Sequence, residues 1–350
     1  MAGGVGSRFW PASREERPKQ FLDILGSGKS LLRLTFERFR QLVPADHIFI
    51  VTNGKYKAQV MEHLPELTDN QVLCEPSRNN TAPCIAYTAL KLQALDPHAN
   101  MVVAPSDHLI HNEPLFLDNI RQALAYTASH QALVTLGIAP KQAHTGYGYI
   151  QFDSAGENGI YPVKRFTEKP DLKTAQSFLD SGDYLWNAGI FVWRAATVLE
   201  AFDTYAPQIT KLLGQQPHCF NTEGEQAFID QVYPQTPNIS VDYAIMEKAD
   251  NVFTIPAQFG WSDLGAWASL HQEVAQSEDG NAVQAQRVLL HDTHNTLVRL
   301  PKHKLGVIAG LDDYIIVDEG DILLICPKSR EQEIKALRKQ VEEVFGPDYV

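Results

Sequence analysis

The chain has 350 residues, of which 44% are hydrophobic and 21% charged, proportions typical of a globular protein with a large domain and a smaller one. The formal net charge of −12 argues against non-specific binding to nucleic acid or to an anionic membrane, although a local basic pocket for a phosphate remains compatible with it. No apolar run approaches the ~20 residues of a membrane span, and no secretory signal is recognisable. We therefore expect a cytoplasmic protein that binds neither nucleic acid nor membranes.

The four cysteines form no CxxC pair and show no zinc-ligand spacing, which predicts free thiols in a reducing compartment. The N-terminus enters a glycine loop at Gly3 with no strand before it, whereas phosphate-binding loops of this kind follow a strand. We expect either that the natural sequence extends upstream of Met1 or that the first strand is missing.

Helical and strand patterns alternate along the first part of the chain. Apolar residues at helical spacing predict helices over residues 30–43, from 81 onward and over 114–130, and short apolar β-rich runs predict strands over 47–52, 71–74, 101–104 and 132–138. This alternation predicts an α/β domain with a Rossmann-like, mostly parallel mixed sheet.

The second half has a different texture. Strands and helices mix less regularly over residues 147–264, as in an inserted substrate-binding half, and short β runs recur beyond about residue 281. A last helix is predicted to begin at Ser329, with Gln332 completing a capping box. We therefore predict a catalytic domain over residues 1–280 and a small β-rich, β-helix-like domain over 281–350.

Two segments resemble functional motifs without meeting their requirements. Gly28, Lys29 and Ser30 look like the end of a P-loop, but Asp23 stands where that motif needs its first glycine, so a turn leading into a helix is the better interpretation. His291 and His294 resemble a metal cluster, but no third ligand lies nearby in the sequence, and we expect a surface turn.

Residues 2–22 (AGGVGSRFWPASREERPKQFL), called here the glycine-rich string, carry the most specific signal. Glycines allow backbone N–H groups to approach a triphosphate closely, and Arg8 and Lys19 can neutralise its charge. The string does not fit the dinucleotide-binding pattern, because Phe9 replaces the third glycine. It resembles the GGxGTRLWPxSR…PKQF pattern of mannose-1-phosphate guanylyltransferases, with Ser7 and Phe9 as mild departures.

The resemblance continues in family order along nearly the whole chain. Its further segments are residues 75–83 (EPSRNNTAP), 105–108 (PSDH), 146–150 (GYGYI), 166–170 (FTEKP), 186–191 (WNAGIF), 240–248 (SVDYAIMEK) and 260–267 (GWSDLGAW). Taken alone, the first of these is better explained as a helix N-cap, and each of the others could be a strand end or a surface turn. Their common order makes coincidence improbable.

The resemblance implies an enzyme that transfers GMP from GTP to mannose 1-phosphate, giving GDP-mannose and pyrophosphate with the help of Mg²⁺. It implies catalytic roles for Arg8, Lys19, Asp107 and Asp263, with Asp107 and Asp263 as the metal ligands. The residues implied to bind the nucleotide are Gly3, Gly4, Gly6, Ser7, Arg8, Lys19, Glu75, Asn79, Asn80, Thr81 and Asp107. Those implied to bind the sugar phosphate are Gly148, Glu168, Lys169, Asn187 and Asp242.

Three alternatives remain open at this point. A related nucleotidyltransferase could use another nucleotide or sugar, and a non-catalytic sensor could bind nucleotide sugars, although such proteins tend to lose the charged residues that are all present here. A bifunctional enzyme is disfavoured because only about 85 residues follow Asp263, fewer than a second catalytic domain with its linker requires. By resemblance, the β-rich tail also suggests a homodimer.

Overall fold

A computed structural model describes all residues from Met1 to Val350. The helices are α1 Leu31–Arg40, α2 Lys57–His63, α3 Thr81–Leu95, α4 Glu113–Ser129, α5 Leu172–Ser181, α6 Ala195–Tyr205, α7 Pro207–Leu213, α8 Glu225–Val232, α9 Trp267–Glu273 and α10 Ile334–Phe345. The strands are β1 Ile50–Asn53, β2 Val72–Glu75, β3 Asn100–Val103, β4 Leu109–Ile110, β5 Leu133–Ile138, β6 Tyr149–Phe152, β7 Tyr161–Thr167, β8 Tyr184–Arg194, β9 Val252–Ala257, β10 Trp261–Ser262, β11 Ala282–Gln284, β12 Arg287–His291, β13 Leu297–Arg299, β14 Leu305–Ala309, β15 Tyr314–Asp318 and β16 Leu323–Pro327.

Contacts divide the chain into two compact units, each built from segments that are distant in sequence. The larger unit comprises Met1–Gly3, Arg38–Pro105 and Ile110–Trp261, and the smaller unit comprises Gly4–Glu37, Ser106–Leu109 and Ser262–Val350. The glycine-rich string beyond Gly3 therefore packs with the C-terminal residues in the smaller unit.

The larger unit is built on a six-stranded sheet in the order β3-β8-β5-β9-β7-β6. Side chains alternate across a strand. Met101 and Val103 of β3 accordingly join a core with α3, α6, α7 and α8, whereas Val102 packs with the core that includes Phe116 and Ile120 of α4. Helices thus cover both faces of the sheet, as an α/β fold requires.

The predicted mixed sheet is confirmed, but parallel pairing is less extensive than we expected. Within the larger unit β1 pairs with β2 and β5 with β9 in parallel, and the other pairs of the six-stranded sheet are antiparallel. The reason is β8, an 11-residue strand that runs antiparallel to both β3 and β5 and separates them. The irregular pattern over residues 147–264 indicated an inserted half, but no sequence pattern places β8 between β3 and β5.

The β-rich tail of the smaller unit forms stacked coils. Strands β11, β13 and β15 pair in parallel, β12 and β14 form a second parallel sheet, and β16 closes the first sheet in the antiparallel direction. Leu297 and Ile315 are fully buried in one core with Phe9, Trp10 and Trp267. Phe9 and Trp10 of the glycine-rich string are therefore part of the core that supports the coils.

The start of the last helix differs from the prediction. Residues 328–333 form a 3₁₀ turn, and α10 begins at Ile334 with no side-chain cap, so the capping box of Ser329 and Gln332 is wrong. Within this 3₁₀ turn, the carboxylate of Glu331 accepts a hydrogen bond from Ala268 N (2.9 Å) in the first turn of α9. None of the ten helices combines the length and apolar character needed to cross a membrane.

Candidate functional site

The glycine-rich string folds into a loop closed by its own backbone. Gly6 has φ 75°, and a Cβ built there would lie 2.5 Å from Cβ of Lys19, so the residue must be glycine. Lys19 N donates to the carbonyl oxygen of Val5 (3.0 Å), and the hydroxyl of Ser13 donates to the same oxygen. The two ends of the string are therefore in contact.

Lys19 connects the loop to the two predicted metal ligands. Its Nζ lies 3.0 Å from Oδ2 of Asp107 and donates to the backbone oxygen of Asp263 at 2.7 Å. The Lys19 side chain is only 6% exposed, whereas that of Asp107 is 30% exposed. A single buried ammonium thus brings together residues that lie far apart in the chain, with the Asp107 carboxylate accessible to a ligand.

Electrostatics keeps Asp107 ionised. Burial tends to raise the pKa of its carboxyl, but the nearby charge of Lys19, with a smaller contribution from His108, outweighs that effect, and the pKa lies below its ordinary value. Arg8 belongs to the same group, because a Cβ built at Gly265 would lie 2.9 Å from Oδ2 of Asp263 and 3.4 Å from Nη1 of Arg8. The four predicted catalytic residues are therefore neighbours in the smaller unit.

This group suits a magnesium ion. Mg²⁺ takes hard oxygen ligands and is commonly held by one or two carboxylates together with substrate phosphates. Asp107 and Asp263 provide two carboxylates, and a larger cluster of His, Cys, Asp or Glu is not formed anywhere in the chain. A site completed by phosphate and water therefore fits the residues better than an all-protein metal site.

A second group of predicted residues meets in the larger unit. A Cβ built at Gly148 would lie 2.5 Å from Oε2 of Glu168, so the missing side chain makes room for this carboxylate. Lys169 Nζ lies 2.6 Å from the other oxygen of Glu168, and Lys169 N donates to the Tyr147 backbone oxygen at 3.2 Å. The Glu168 side chain is 6% exposed and that of Lys169 55%, so the ammonium is the part open to a phosphate.

Asn187 and Asp242 complete this group. Asn187 Nδ2 donates to Oδ1 of Asp242 (2.9 Å), and Asn187 Oδ1 accepts from the Thr135 hydroxyl (2.9 Å) and from Gly189 N (3.1 Å). An amide has two N–H groups and one carbonyl oxygen. With its oxygen accepting two bonds, Asn187 has one N–H left for a ligand, so it is better placed to donate to a hydroxyl than to accept from one.

Asp242 lies in an unusual environment. It begins a π-helical turn over Asp242–Met246, a geometry that is rare and concentrated at functional sites. Burial, followed by the nearby carboxylate of Glu168, raises the pKa of Asp242 to about 6. Because the pKa of Asp242 is raised beside a second carboxylate, this buried pair can retain a proton and can then both donate and accept hydrogen bonds.

The segment predicted to lie near the base is occupied largely by structural bonds. Asn79 Nδ2 donates to the backbone oxygens of Tyr233 (3.0 Å) and Thr236 (2.9 Å), and Asn80 Oδ1 caps α3 by accepting from Thr81 N (2.9 Å). The Thr81 hydroxyl accepts from Val241 N (2.9 Å). The structure therefore brings these residues together as a helix-cap framework, as the simpler interpretation of the segment predicts.

Glu75 differs from its neighbours in this segment. Its Oε1 accepts a hydrogen bond from the Tyr233 hydroxyl, and a Cβ built at Gly3 would lie 3.7 Å from its Oε2. Burial raises the pKa of Glu75, and the bond from Tyr233 opposes that rise. The second oxygen of Glu75 thus faces the start of the glycine-rich string.

Sequence reasoning missed residues that hold the predicted ones. Thr135 orients Asn187, and Glu247 accepts a hydrogen bond from Glu168 N (2.8 Å). Thr135 stands in an apolar strand with no motif around it, so no sequence signal identifies it. Glu247 does lie in the family-like segment over 240–248 and could have been found there.

The two motif-like segments have ordinary roles. The Asp23 carboxylate accepts from Ser27 N (2.8 Å) and Gly28 N (2.7 Å), and α1 follows at Leu31, so the predicted turn into a helix is confirmed. The side chains of His291 and His294 are 74% and 56% exposed and pair with single aspartates.

Comparison with known proteins identifies two matching family models. Residues 1–280 match the model described as nucleotidyl transferase, and residues 286–341 match the model described as the MannoseP isomerase/GMP-like beta-helix domain. The first model covers most of the chain, and the second falls on the stacked coils.

Individual relatives agree with these models. The chain is 35% identical to a mannose-1-phosphate guanylyltransferase of Escherichia coli K12 over 352 residues, covering 98% of this chain and 72% of the relative. It is 35% identical to the xanthan biosynthesis protein XanB of Xanthomonas campestris, again covering 98% and 72%. A solved structure described as mannose-1-phosphate geranyltransferase from Thermus thermophilus superimposes with a TM-score of 0.85 at 30% identity, covering 98% of both chains. The chain belongs to the mannose-1-phosphate guanylyltransferase family of nucleotidyl transferases.

Proposed function

We propose that the protein transfers GMP from GTP to mannose 1-phosphate, releasing pyrophosphate and forming GDP-mannose. The observation that carries the proposal is the meeting of Arg8, Lys19, Asp107 and Asp263 in the smaller unit of a chain that belongs to this family. No nucleophile of the serine or cysteine type is needed, because phosphoryl-type transfer asks the protein mainly for positioning and charge stabilisation.

The reaction is an in-line displacement at the α-phosphorus of GTP. An oxygen of mannose 1-phosphate forms the new P–O bond as the bond to pyrophosphate breaks, and no general base is required because the attacking phosphate is already anionic. Arg8 and Lys19 neutralise charge on the triphosphate. Mg²⁺ held by Asp107 and Asp263 would supply further charge neutralisation at the reacting phosphates.

The remaining predicted residues receive separate roles in this proposal. Lys169 binds the sugar phosphate, whereas Glu168, Asn187 and Asp242 bind the hydroxyls of the hexose, with Gly148 leaving space. For the nucleotide, the backbone of Gly3, Gly4, Gly6 and Ser7 lines the phosphates. Glu75 suits guanine, because a carboxylate can accept from its N1–H and amino group, while Asn79, Asn80 and Thr81 hold the segment that carries Glu75.

Pyrophosphate release from the purified protein with Mg²⁺ tests the activity. GTP, ATP, UTP, CTP and dTTP are each combined with mannose 1-phosphate and glucose 1-phosphate, and we expect release only from GTP with mannose 1-phosphate. Release from another pair would move the specificity to a related enzyme. Tight binding of GDP-mannose without turnover would favour the sensor.

Two aspartate variants test the metal site. We expect Asp107→Asn and Asp263→Asn each to lower kcat by about 10²-fold or more, because the lost ligand weakens stabilisation of charge on the phosphates. Asp292→Asn is a matched control, since the Asp292 side chain is 80% exposed in a turn of the β-rich tail. Near-normal turnover of both variants at saturating Mg²⁺ would contradict the assignment.

We also propose that the protein is a homodimer. Leu289, Leu305 and Val307 on β12 and β14 are 60–65% exposed, an apolar face that favours association. Light scattering of wild type and Leu289→Lys tests the dimer, and a monomeric wild type would refute it.

We further propose a cytoplasmic location and a division into domains at residues 280/281. The free thiols of all four cysteines support a reducing compartment.

A further inference from the structure

Arg14 lies within the glycine-rich string, and its guanidinium binds groups of the protein through all three of its nitrogen atoms. Nη1 donates to Oδ2 of Asp321 at 2.7 Å, Nη2 donates to Oδ1 of Asp321 at 2.5 Å, and Nε donates to the Pro11 backbone oxygen at 3.1 Å. Such a bidentate pair is geometrically specific. Each nitrogen of the side chain thus has a partner within the protein, and three of the five N–H groups of the guanidinium are used.

The partner of Arg14 lies in the turn between β15 and β16. This turn is defined by Gly320, which has φ 96° and whose N–H donates to Oδ1 of Asp318 at 2.8 Å. Nη2 of Arg17 lies 3.2 Å from Oε2 of Glu319 in the same turn, and Oε1 of Glu319 accepts a hydrogen bond from Nε of Arg299 in β13 at 3.0 Å. Two arginines of one loop thus contact two acids of one turn, Glu319 and Asp321, on either side of Gly320.

The same loop leads directly to Lys19. Arg14 N and Arg17 N each donate to the other residue's backbone oxygen, at 3.2 and 3.1 Å, which makes a tight turn. Two residues further on, Lys19 is fixed by Val5, Asp107 and Asp263. A displacement of the loop at Arg14 therefore reaches the lysine after five residues, with little chain to absorb it.

We infer that Arg14 and Asp321 are positioning residues, through which the β15–β16 turn holds the glycine-rich string in the geometry that presents Lys19 to the triphosphate. The inference rests on the proposed phosphate-binding role of Lys19. It assigns to the β-rich tail a direct effect on GTP use, in addition to any effect on assembly.

A pair with similar geometry provides the control. Arg330 and Glu333 form a bidentate pair at 2.8 and 2.6 Å in the same unit, with side chains 61% and 49% exposed. Asp321 is similarly exposed, at 47%. Asp321→Asn and Glu333→Gln each remove one carboxylate charge from such a pair. Only the pair of Arg14 and Asp321 contacts the glycine-rich string, so a comparison of the two variants isolates the effect of that contact.

The experiment measures kcat and KM for each substrate, melting temperature and hydrogen exchange of residues 4–22. We expect Asp321→Asn to lower kcat/KM for GTP about tenfold, since small misplacement of a positioned group has large kinetic effects, with KM for mannose 1-phosphate unchanged. Exchange in residues 4–22 should become faster, and the double variant Arg14→Asp/Asp321→Arg should recover part of the activity. Glu333→Gln should behave as wild type.

Each result decides a separate question. Equal GTP kinetics for Asp321→Asn and Glu333→Gln would overturn the inference, as would a uniform loss of protection across the smaller unit. If the wild type itself shows no transfer, the proposed function fails. Unchanged exchange of residues 4–22 in Asp321→Asn would then still overturn the positioning role, and selectively faster exchange would support it.

Discussion

Gly6→Ala tests how closely activity depends on the loop geometry. The new Cβ would lie 2.5 Å from Cβ of Lys19 and 3.2–3.3 Å from the next two carbons of that side chain. Carbon atoms in contact normally lie about 3.5–4.0 Å apart, so the backbone at Lys19 has to retreat by about 1 Å. A rotamer change cannot relieve the clash, because Cβ moves with the backbone.

The cost has two parts. Alanine at φ 75° is disfavoured by about 1–2 kcal/mol, and overpacking adds about 1–3 kcal/mol, so we expect a loss of about 2–5 kcal/mol in unfolding free energy. The 2.7 and 3.0 Å contacts of Lys19 Nζ would lengthen beyond hydrogen-bonding range after a 1 Å shift. We expect kcat/KM for GTP to fall about 10²-fold.

Gly310→Ala is the matched control, because Gly310 has a similar φ of 73°, belongs to the same unit outside the predicted site, and has nothing within 4 Å of a Cβ built there. Pyrophosphate release measures kcat/KM for both variants, and urea titration measures stability. The reasoning is refuted if Gly6→Ala stays within about twofold of wild type, or if Gly310→Ala loses as much activity as Gly6→Ala.

Three further predictions concern the larger unit. Gly148→Ala should raise KM for mannose 1-phosphate about tenfold or more with a smaller effect on KM for GTP, because the new Cβ displaces the Glu168 carboxylate. The raised pKa of Asp242, about 6 in the folded protein, means that ionising it disfavours folding. Its stabilising contribution is complete below the unfolded pKa and is lost as pH rises through about 6, so Asp242→Asn should flatten the dependence of melting temperature on pH between about 4 and 6. Glu225→Gln should lower the unfolding free energy by about 3–5 kcal/mol, because the carboxylate pairs with buried Lys91 at 2.6 Å and accepts from Tyr87.

Matched measurements keep these predictions distinct. Gly224→Ala, whose Cβ would meet only ordinary contact at 3.7 Å, should leave both KM values unchanged. An Asp242→Asn melting profile with the same slope as wild type would contradict the pH argument. Asp69→Asn breaks an exposed ion pair with Lys57 and should lower the unfolding free energy by less than about 1 kcal/mol. If Glu225→Gln lowers the unfolding free energy by no more than Asp69→Asn does, the large effect expected for the buried pair is contradicted.

Local chemistry was the part of the site that could be predicted from the sequence. The glycines and charges of residues 2–22 indicated a phosphate loop, and the helix at Leu31–Arg40 followed from apolar spacing. The contact of Lys19 with both Asp107 and Asp263 was different, since more than 150 residues separate the two acids and no spacing rule pairs them. Their association was expected only from family resemblance.

Long-range pairing also explains what was missed in the fold. The β8 strand has ordinary strand character, but its place between β3 and β5 depends on the long connection over residues 139–183. In the same way, Thr135 looks like any polar residue in an apolar strand until its hydroxyl is seen to donate to Asn187. Secondary-structure propensity reflects residues that are close in sequence, whereas the position of β8 and the hydrogen bond of Thr135 depend on residues that are close only in the folded protein.

The composition of the smaller unit has a consequence for synthesis. Residues 4–37 are synthesised before residues 262–350, but the core into which Phe9 and Trp10 pack is completed by Trp267, Leu297 and Ile315. Contacts of such large sequence separation form late, and domains assemble only when all their segments are available. The core around the glycine-rich string therefore cannot be completed in the nascent chain until the residues up to Ile315 have been synthesised.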